Sequence, residues 1–305
     1  MFIYRKLIFY IVIIFLFSSD INARSIIVDA EIDNLLNQYA SELYEVSALN
    51  TEEIEIYVVL DPSINASVTP KGKIFINTGL IMESDTPNQV SSIIAHEMGH
   101  VINNHHITRR IESQIMSKNQ IIAQIIGIGA GVSGALSDSN AMVDIGTGIT
   151  LGGNKIATRE FLKYSRQQEY EADMAAVRLM ESSGQSSKGL LEVFQKIRAS
   201  SRVYGDELNR LDLTHDLPEE RINLLEIKIS EQKSFKKVDS QELIHKYNLV
   251  KAKLIGYLGL RDNYDVGSLY SKYINAIRYY QKGKLDLAES AMTDIIEIEE
   301  STYFF

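Results

Sequence analysis

Cysteine is absent from the 305 residues. Its absence excludes disulfides, thiolate metal ligands and a cysteine nucleophile. Proline is scarce, with four in the chain, and so is histidine, with six. Positive charge is the minority sign: 31 Lys and Arg stand against 40 Asp and Glu, a formal charge of −9. A chain of that sign repels phosphates, which argues against a nucleic-acid partner. An apolar run of the roughly 20 residues that a membrane span needs is also lacking at the N-terminus, where Leu7 to Phe17 makes 11 residues. What remains is ordinary for a globular protein: 45% apolar and 23% charged residues, in a chain long enough for one large core and a smaller second unit.

The N-terminal stretch MFIYRKLIFYIVIIFLFSSDINARS has Arg5 and Lys6, then the apolar run, then a cleavage-like site after Ala23. That is the layout of a secretory signal peptide over residues 1–23. An uncleaved anchor is the alternative. Removal of this stretch takes Arg5, Lys6 and Asp20 and leaves the chain at about −10.

Apolar side chains recur at helical spacing over 28–46. EIEIYVVL (53–60) and KIFINTGLI (73–81) read as strands around the turn-rich 61–72. Thr86, Pro87 and Gln89 form a helix-start signature, with Thr86 as cap and Gln89 closing a capping box. The helix then runs through QVSSIIAHEMGHVINNHH. Residues 119–153 are rich in Gly, Ala and Ile but broken by Ser137, Asp138 and Asp144. They read as a helical hairpin over the core, with a mobile or membrane-touching flap as the alternative.

Further helices are expected at 157–182 and 187–202, and another opening near Pro218 after a loop. The polar stretch 228–241 marks a boundary, dividing a domain at 24–235 from a helical unit at 236–305. In the latter, Ala276, Tyr279, Gly283 and Ala288 match the spacing of a tetratricopeptide repeat, although Glu300 stands where that repeat usually has proline. One such helix pair cannot bury its own face and must pack on something else. The fold class expected is α+β: a mainly helical zincin-type metalloprotease domain with a small β-sheet, then a tetratricopeptide-like unit.

Four of the six histidines lie within 96–106. His96, Glu97 and His100 make H-E-x-x-H. On a helix, positions i and i+4 share a face, so both imidazoles reach one metal ion. Glu97 is rotated about 100° from His96 and is free to take a proton from a metal-activated water, the chemistry of zinc hydrolases. A catalytic zinc needs a third protein ligand. His106 is one candidate, in H-E-x-x-H-x-x-G-x-x-H with Asn103 at the glycine place. Asparagine tolerates the left-handed geometry which that turn requires. Glu169 is the other, with Asp173 four residues on to accept a hydrogen bond from a ligand imidazole. Glu171 is expected to be solvated or paired with Arg166. His105 and His245 read as surface residues.

H-E-M-G-H followed about 70 residues later by E-Y-E-A-D resembles the gluzincin peptidases related to the CAAX prenyl protease and HtpX. PKGKIFINTGLI and THDLPEERI are also similar to segments of that family. The resemblance extends to its secreted branch with a C-terminal tetratricopeptide unit. It implies one Zn2+ per chain held by His96, His100 and Glu169, with Glu97 as general base. It implies that His215 occupies the fourth zinc position and holds the enzyme latent, and that Arg221 stabilises an oxyanion. A surface turn histidine and a structural ion pair are the plainer readings of these two, and Asp216 stands where the family usually has proline. The implied activity is periplasmic hydrolysis of unfolded or misassembled envelope proteins. The strand KIFINT would bind extended substrate by edge pairing or serve as a plain core strand. The alternative function is a chaperone or scaffold, docked on the outer-membrane protein assembly machinery through the repeat unit.

Overall fold

The computed structural model describes residues 25–47, 49, 54–69, 71–105, 166–204, 215 and 219–298. The expected signal peptide, the segment 119–153, His106, Asp216 and Glu300 lie outside them. The architecture is α+β, mostly helical with one small mixed sheet. In chain order come β1 (Ile26–Ile27), α1 (Ala30–Tyr44), β2 (Glu55–Val59), β3 (Ala66–Val68), β4 (Lys73–Asn77), α2 (Thr78–Glu83) and α3 (Pro87–Ile102). Then follow α4 (166–182), α5 (Lys188–Tyr204), α6 (Glu219–Ser230), α7 (Gln241–Leu258), α8 (Leu269–Gln281) and α9 (Leu285–Ile298).

Helix α1 starts where Asp29 accepts from the backbone N–H groups of Glu31 and Ile32, the usual action of an aspartate N-cap. Its buried residues Ile32, Leu35, Leu36, Tyr39, Ala40 and Leu43 form one apolar stripe at helical spacing. The sheet order is β1-β2-β4-β3, with β2 parallel to β4 and the two outer strands antiparallel to their neighbours. Strand β4 is therefore interior, paired on both sides. The edge role expected of KIFINT belongs instead to β3, a strand inside the segment that reads as turns. The second strand also ends at Asn77 rather than Ile81. There the Thr78 hydroxyl donates to Asp61 O at 2.8 Å and Gly79 N donates to the same carbonyl at 2.9 Å, turning the chain into α2.

Helix α3 is the centre of the fold: residues 89–100 are all buried. Pro87 takes its first position, but the expected capping box is not closed. Thr86 makes no side-chain cap bond. Gln89 instead accepts from Asp85 N at 2.9 Å and donates to Glu192 on α5 at 2.8 Å. Tertiary anchoring has replaced the local cap. Asn88 adds to it by bonding Ser186 O and Gly189 N at the α4–α5 turn.

Helix α7 belongs to two cores. Tyr247, Val250 and Leu254 join the main core around α3, while Leu249, Ala252 and Ile255 pack with α8 and α9. The expected boundary near residue 236 falls in the turns between α6 and α7, immediately before the shared helix. Gly283, at φ 69°, makes the α8–α9 turn, and Ala276 and Ala288 are buried at that crossing. Among the described residues, no helix is long and apolar enough to cross a membrane.

A tight crossing brings α4 onto α3. A Cβ built on Gly99 would stand 2.7 Å from Ala172 O and 3.0 Å from Ala172 Cα. Gly99→Ala gains about 1 kcal/mol in an unobstructed helix. Here we expect the opposite sign, a loss of about 1–3 kcal/mol from overpacking against backbone, read as a lower urea midpoint at unchanged m-value. A midpoint equal to or above wild type would mean that the crossing has slack.

Candidate metal centre

Close approach of α3 and α4 places two carboxylates of α4 under the imidazoles of α3. His96 Nε2 lies 3.2 Å from His100 Nε2. Glu169 Oε2 is 3.5 Å from the former, and Glu169 Oε1 is 3.6 Å from the latter. His215 comes from the segment before α6: its Nδ1 is 2.8 Å from Glu169 Oε2 and 3.5 Å from His96 Nε2. One ligand atom from each of His96, His100, Glu169 and His215 falls within 4.8 Å of the other three. The first three are 3% exposed or less. His215, a surface turn residue on the plainer reading, is half-buried and faces the same centre.

Glu97 projects from α3 beside this group. Its Oε1 is 3.2 Å from His215 Nε2, and Oε2 is buried with no hydrogen-bond partner among the described residues. A cavity of about 40 Å³ adjoins it, lined among others by Asn65 and Ala66 at β3, Phe194 of α5, and His96, Glu97 and His215.

Each imidazole of α3 faces a polar side chain from behind, and the two differ. His96 Nδ1 lies 3.0 Å from Asp173 Oδ1, the partner expected from the i, i+4 spacing with Glu169. Asp173 is gripped in turn by Arg221, whose Nε and Nη2 donate to its two oxygens at 2.8 Å each. Arg221 Nη1 also lies 3.1 Å from Glu169 Oε2, and its guanidinium carbon sits 5.0 Å from the Phe194 ring centre. The fork of Arg221 is thus spent on carboxylates, the ion-pair alternative of the sequence reading.

His100 Nδ1 faces His105 Nδ1 at 2.9 Å, and His105 Nε2 lies 3.0 Å from Glu171 Oε2. His105 was expected at the surface and is 3% exposed. The reason lies in the helix end. Asn103 keeps φ −88°, and the left-handed residue is Asn104 at φ 52°. The turn expected of an asparagine therefore comes one residue late and folds His105 back beneath α3. Glu171, expected to be solvated or paired with Arg166, is open to solvent and also takes His105 and Gln167 as partners. The only prior signal was a histidine five positions beyond His100, which carries no meaning until the helix end is known. His245, also expected at the surface, is half-buried with Nδ1 2.9 Å from the Tyr270 hydroxyl.

The charges respond to this packing. Burial alone would push the His215 imidazole down, but the facing carboxylates of Glu169 and Glu97 overcome it and push it up to about 10. Burial likewise opposes the charge of Glu169, yet His215 and His96 hold its carboxyl well below the usual range. His96 is raised, with Asp173 and Glu169 outweighing its desolvation.

The network is conditional on every member. Removing one partner of a buried ion pair costs about 3–5 kcal/mol, because the other charge is left desolvated. Arg221→Met is expected to destabilise the fold by that amount. Adding Asp173→Asn should restore part of the loss, a coupling visible in a double-mutant cycle of chemical denaturation. Additive losses would show that the two side chains do not act as a pair.

The sequence profile of the family described as Peptidase family M48 matches residues 29–228. The beta-barrel assembly-enhancing protease of Yersinia pestis is 25% identical over 290 residues, covering 90% of this chain and 57% of its own length. Its Escherichia coli K12 counterpart is 23% identical over 291 residues, with the same coverage. The metalloprotease LoiP of Escherichia coli K12 is 29% identical over 168 residues, which is 53% of this chain and 60% of that protein. The chain therefore spans a little over half the length of the assembly-enhancing proteases it matches.

Proposed function

The chain belongs to peptidase family M48, and from that premise we propose that it is a zinc-dependent endopeptidase acting on unfolded or misassembled proteins of the periplasm. The observation that carries this is the donor spacing. Zinc bound at about 2.0–2.1 Å sets tetrahedral donors about 3.3–3.5 Å apart. The Nε2 atoms of His96 and His100 are 3.2 Å apart, Glu169 faces them with separate oxygens at 3.5 and 3.6 Å, and one ligand atom from each of the three lies within 4.8 Å of the others. Two imidazoles and one carboxylate are also the donor set of a known class of catalytic zinc sites. We assign His96, His100 and Glu169 as the ligands. Bound zinc supplies Lewis acidity, polarising a scissile carbonyl and lowering the pKa of a water to near neutrality.

The remaining work falls to side chains. Glu97, buried beside the centre with one oxygen unpartnered, takes the proton of the attacking water and returns it to the leaving amine. Asp173 orients His96, and Arg221 holds Asp173 and Glu169 in place. An extended substrate would approach along β3, whose first residue Ala66 lines the cavity beside Glu97 together with the preceding Asn65. The leader-like N-terminus supports a periplasmic setting. The helix pair α8–α9, with its glycine turn and buried alanines, supports a tetratricopeptide-like unit at 236–305, and the printed names of the assembly-enhancing relatives support a partner in outer-membrane protein assembly.

Glu97→Gln is expected to keep stoichiometric zinc and lose casein cleavage by at least a hundredfold, a typical upper share of general-base catalysis being about 10⁴. Glu169→Ala should lose zinc while His106→Ala keeps it, with metal content of the purified variants deciding between them. The same Glu97→Gln variant tests the scaffold alternative, since full rescue of a deletion strain by it would put chaperone action ahead of proteolysis.

A second reading concerns latency. His215 Nδ1 lies 3.5 Å from His96 Nε2, which supports a role as fourth donor, and its Nε2 approaches one oxygen of the proposed base at 3.2 Å. In that position His215 closes the centre to substrate. His215→Ala should then raise the rate of peptide cleavage, whereas an equal or lower rate would remove the gate.

A further inference from the structure

We infer that His105 is a positioning residue for the metal centre: it accepts the Nδ1 proton of His100, in a tautomer that Glu171 selects. This rests on the proposal that His100 binds metal through Nε2. An imidazole bound through Nε2 keeps its proton on Nδ1, so His100 must donate at that atom. The atom facing it, at 2.9 Å, is His105 Nδ1, which must then be unprotonated. A neutral His105 therefore carries its proton on Nε2, and Nε2 is the atom that lies 3.0 Å from Glu171 Oε2. Gln167 donates to the other oxygen of Glu171 at 2.7 Å, holding the carboxylate in place. Every proton in the chain His100–His105–Glu171 is thus assigned by one boundary condition, the metal-facing nitrogen.

The arrangement differs from the partner of the other ligand. His96 is backed by an anion whose charge Arg221 already answers. His100 is backed by a neutral ring, and the anion sits one link further out, where Glu171 is open to solvent. Burying a second bare carboxylate against the centre would add a desolvation cost of several kcal/mol. An intervening imidazole supplies the acceptor without that cost. The helix end exists in the form this requires: Asn104 is the one non-glycine residue at positive φ among the described residues, and it delivers His105 to its place.

Outer partners of ligand histidines typically change metal affinity by about 10- to 100-fold. In the full chain, His105→Phe keeps a ring of similar size and removes the acceptor. His105→Asn is smaller, but its Oδ1 falls near the place of Nδ1 and accepts the same proton. We expect zinc affinity, measured by competition with a chromophoric chelator, to fall about 10- to 100-fold in His105→Phe and to recover most of that loss in His105→Asn. Circular dichroism and the unfolding midpoint of the metal-free variants report folding separately. If packing alone mattered, the smaller asparagine would be the worse substitution, and that order would overturn the inference. Equal affinity of wild type and His105→Phe would overturn it too. Failure of the wild-type chain to bind zinc at all would instead overturn the ligand assignment, so the two failures are distinguishable.

Discussion

The contact on which the centre depends is backbone against backbone, at Gly99 and Ala172. Those residues let α3 and α4 approach until a side chain as short as glutamate brings its oxygens within 3.5 and 3.6 Å of two imidazoles on the other helix. A longer separation could not be recovered by rotamer choice, because His96, His100 and Glu169 are all enclosed by core residues. Interiors are packed too densely for helices to adjust individually. The distances at the centre are therefore a property of the whole core: α1, the sheet and α5 pack around α3, and the Asn88 and Gln89 bonds fix α5 against its N-terminal turn.

That enclosure has an electrostatic consequence. Glu97, Glu169, Asp173, His96, His100 and Arg221 are all buried within one neighbourhood. Isolated buried charges cost several kcal/mol each, so the group is tolerable only as a mutually compensating set. The guanidinium of Arg221 spans Asp173 and Glu169, and His215 spans Glu169 and Glu97. Residues that lie far apart in the chain are thereby tied to one another, and α6, through Arg221, becomes part of the centre rather than a peripheral helix.

How much of this was legible in the sequence depends on the range of the interaction concerned. The pairing of His96 with His100, and of Glu169 with Asp173, follows from helical periodicity alone, and both were readable. So were α1, the start of α3 at Pro87 and the glycine turn at Gly283. What failed was tertiary. Gln89 has the right type and spacing for a capping box, yet α5 offered it Glu192, and Asp85 rather than Thr86 supplied the backbone donor. KIFINT has a strand pattern that cannot say whether it is flanked on one side or two. The strand that covers it, β3, hides in a segment whose Pro, Ser and Asn read as turn. His105 is the instructive miss: a polar residue after a helix end reads as surface, and only the left-handed step at Asn104 returns it to the core.

On the proposed roles, one member of the centre would have to move for catalysis. His96, His100, Glu169, Asp173 and Arg221 belong to three helices whose opposite faces are buried in the main core. None can shift without disturbing packing. His215 is different in kind: it enters from outside those helices, and its side chain is the most exposed of the set, at 17%. It also lies against two carboxylates, the proposed ligand Glu169 and the proposed base Glu97. A substrate carbonyl and the carboxylate that activates its water need the space between Glu97 and the ligand atoms, and His215 stands in it. On those roles the rigid part of the centre would hold the metal, while the part open to solvent would govern whether Glu97 is available. Latency and catalysis would then differ by the withdrawal of one side chain.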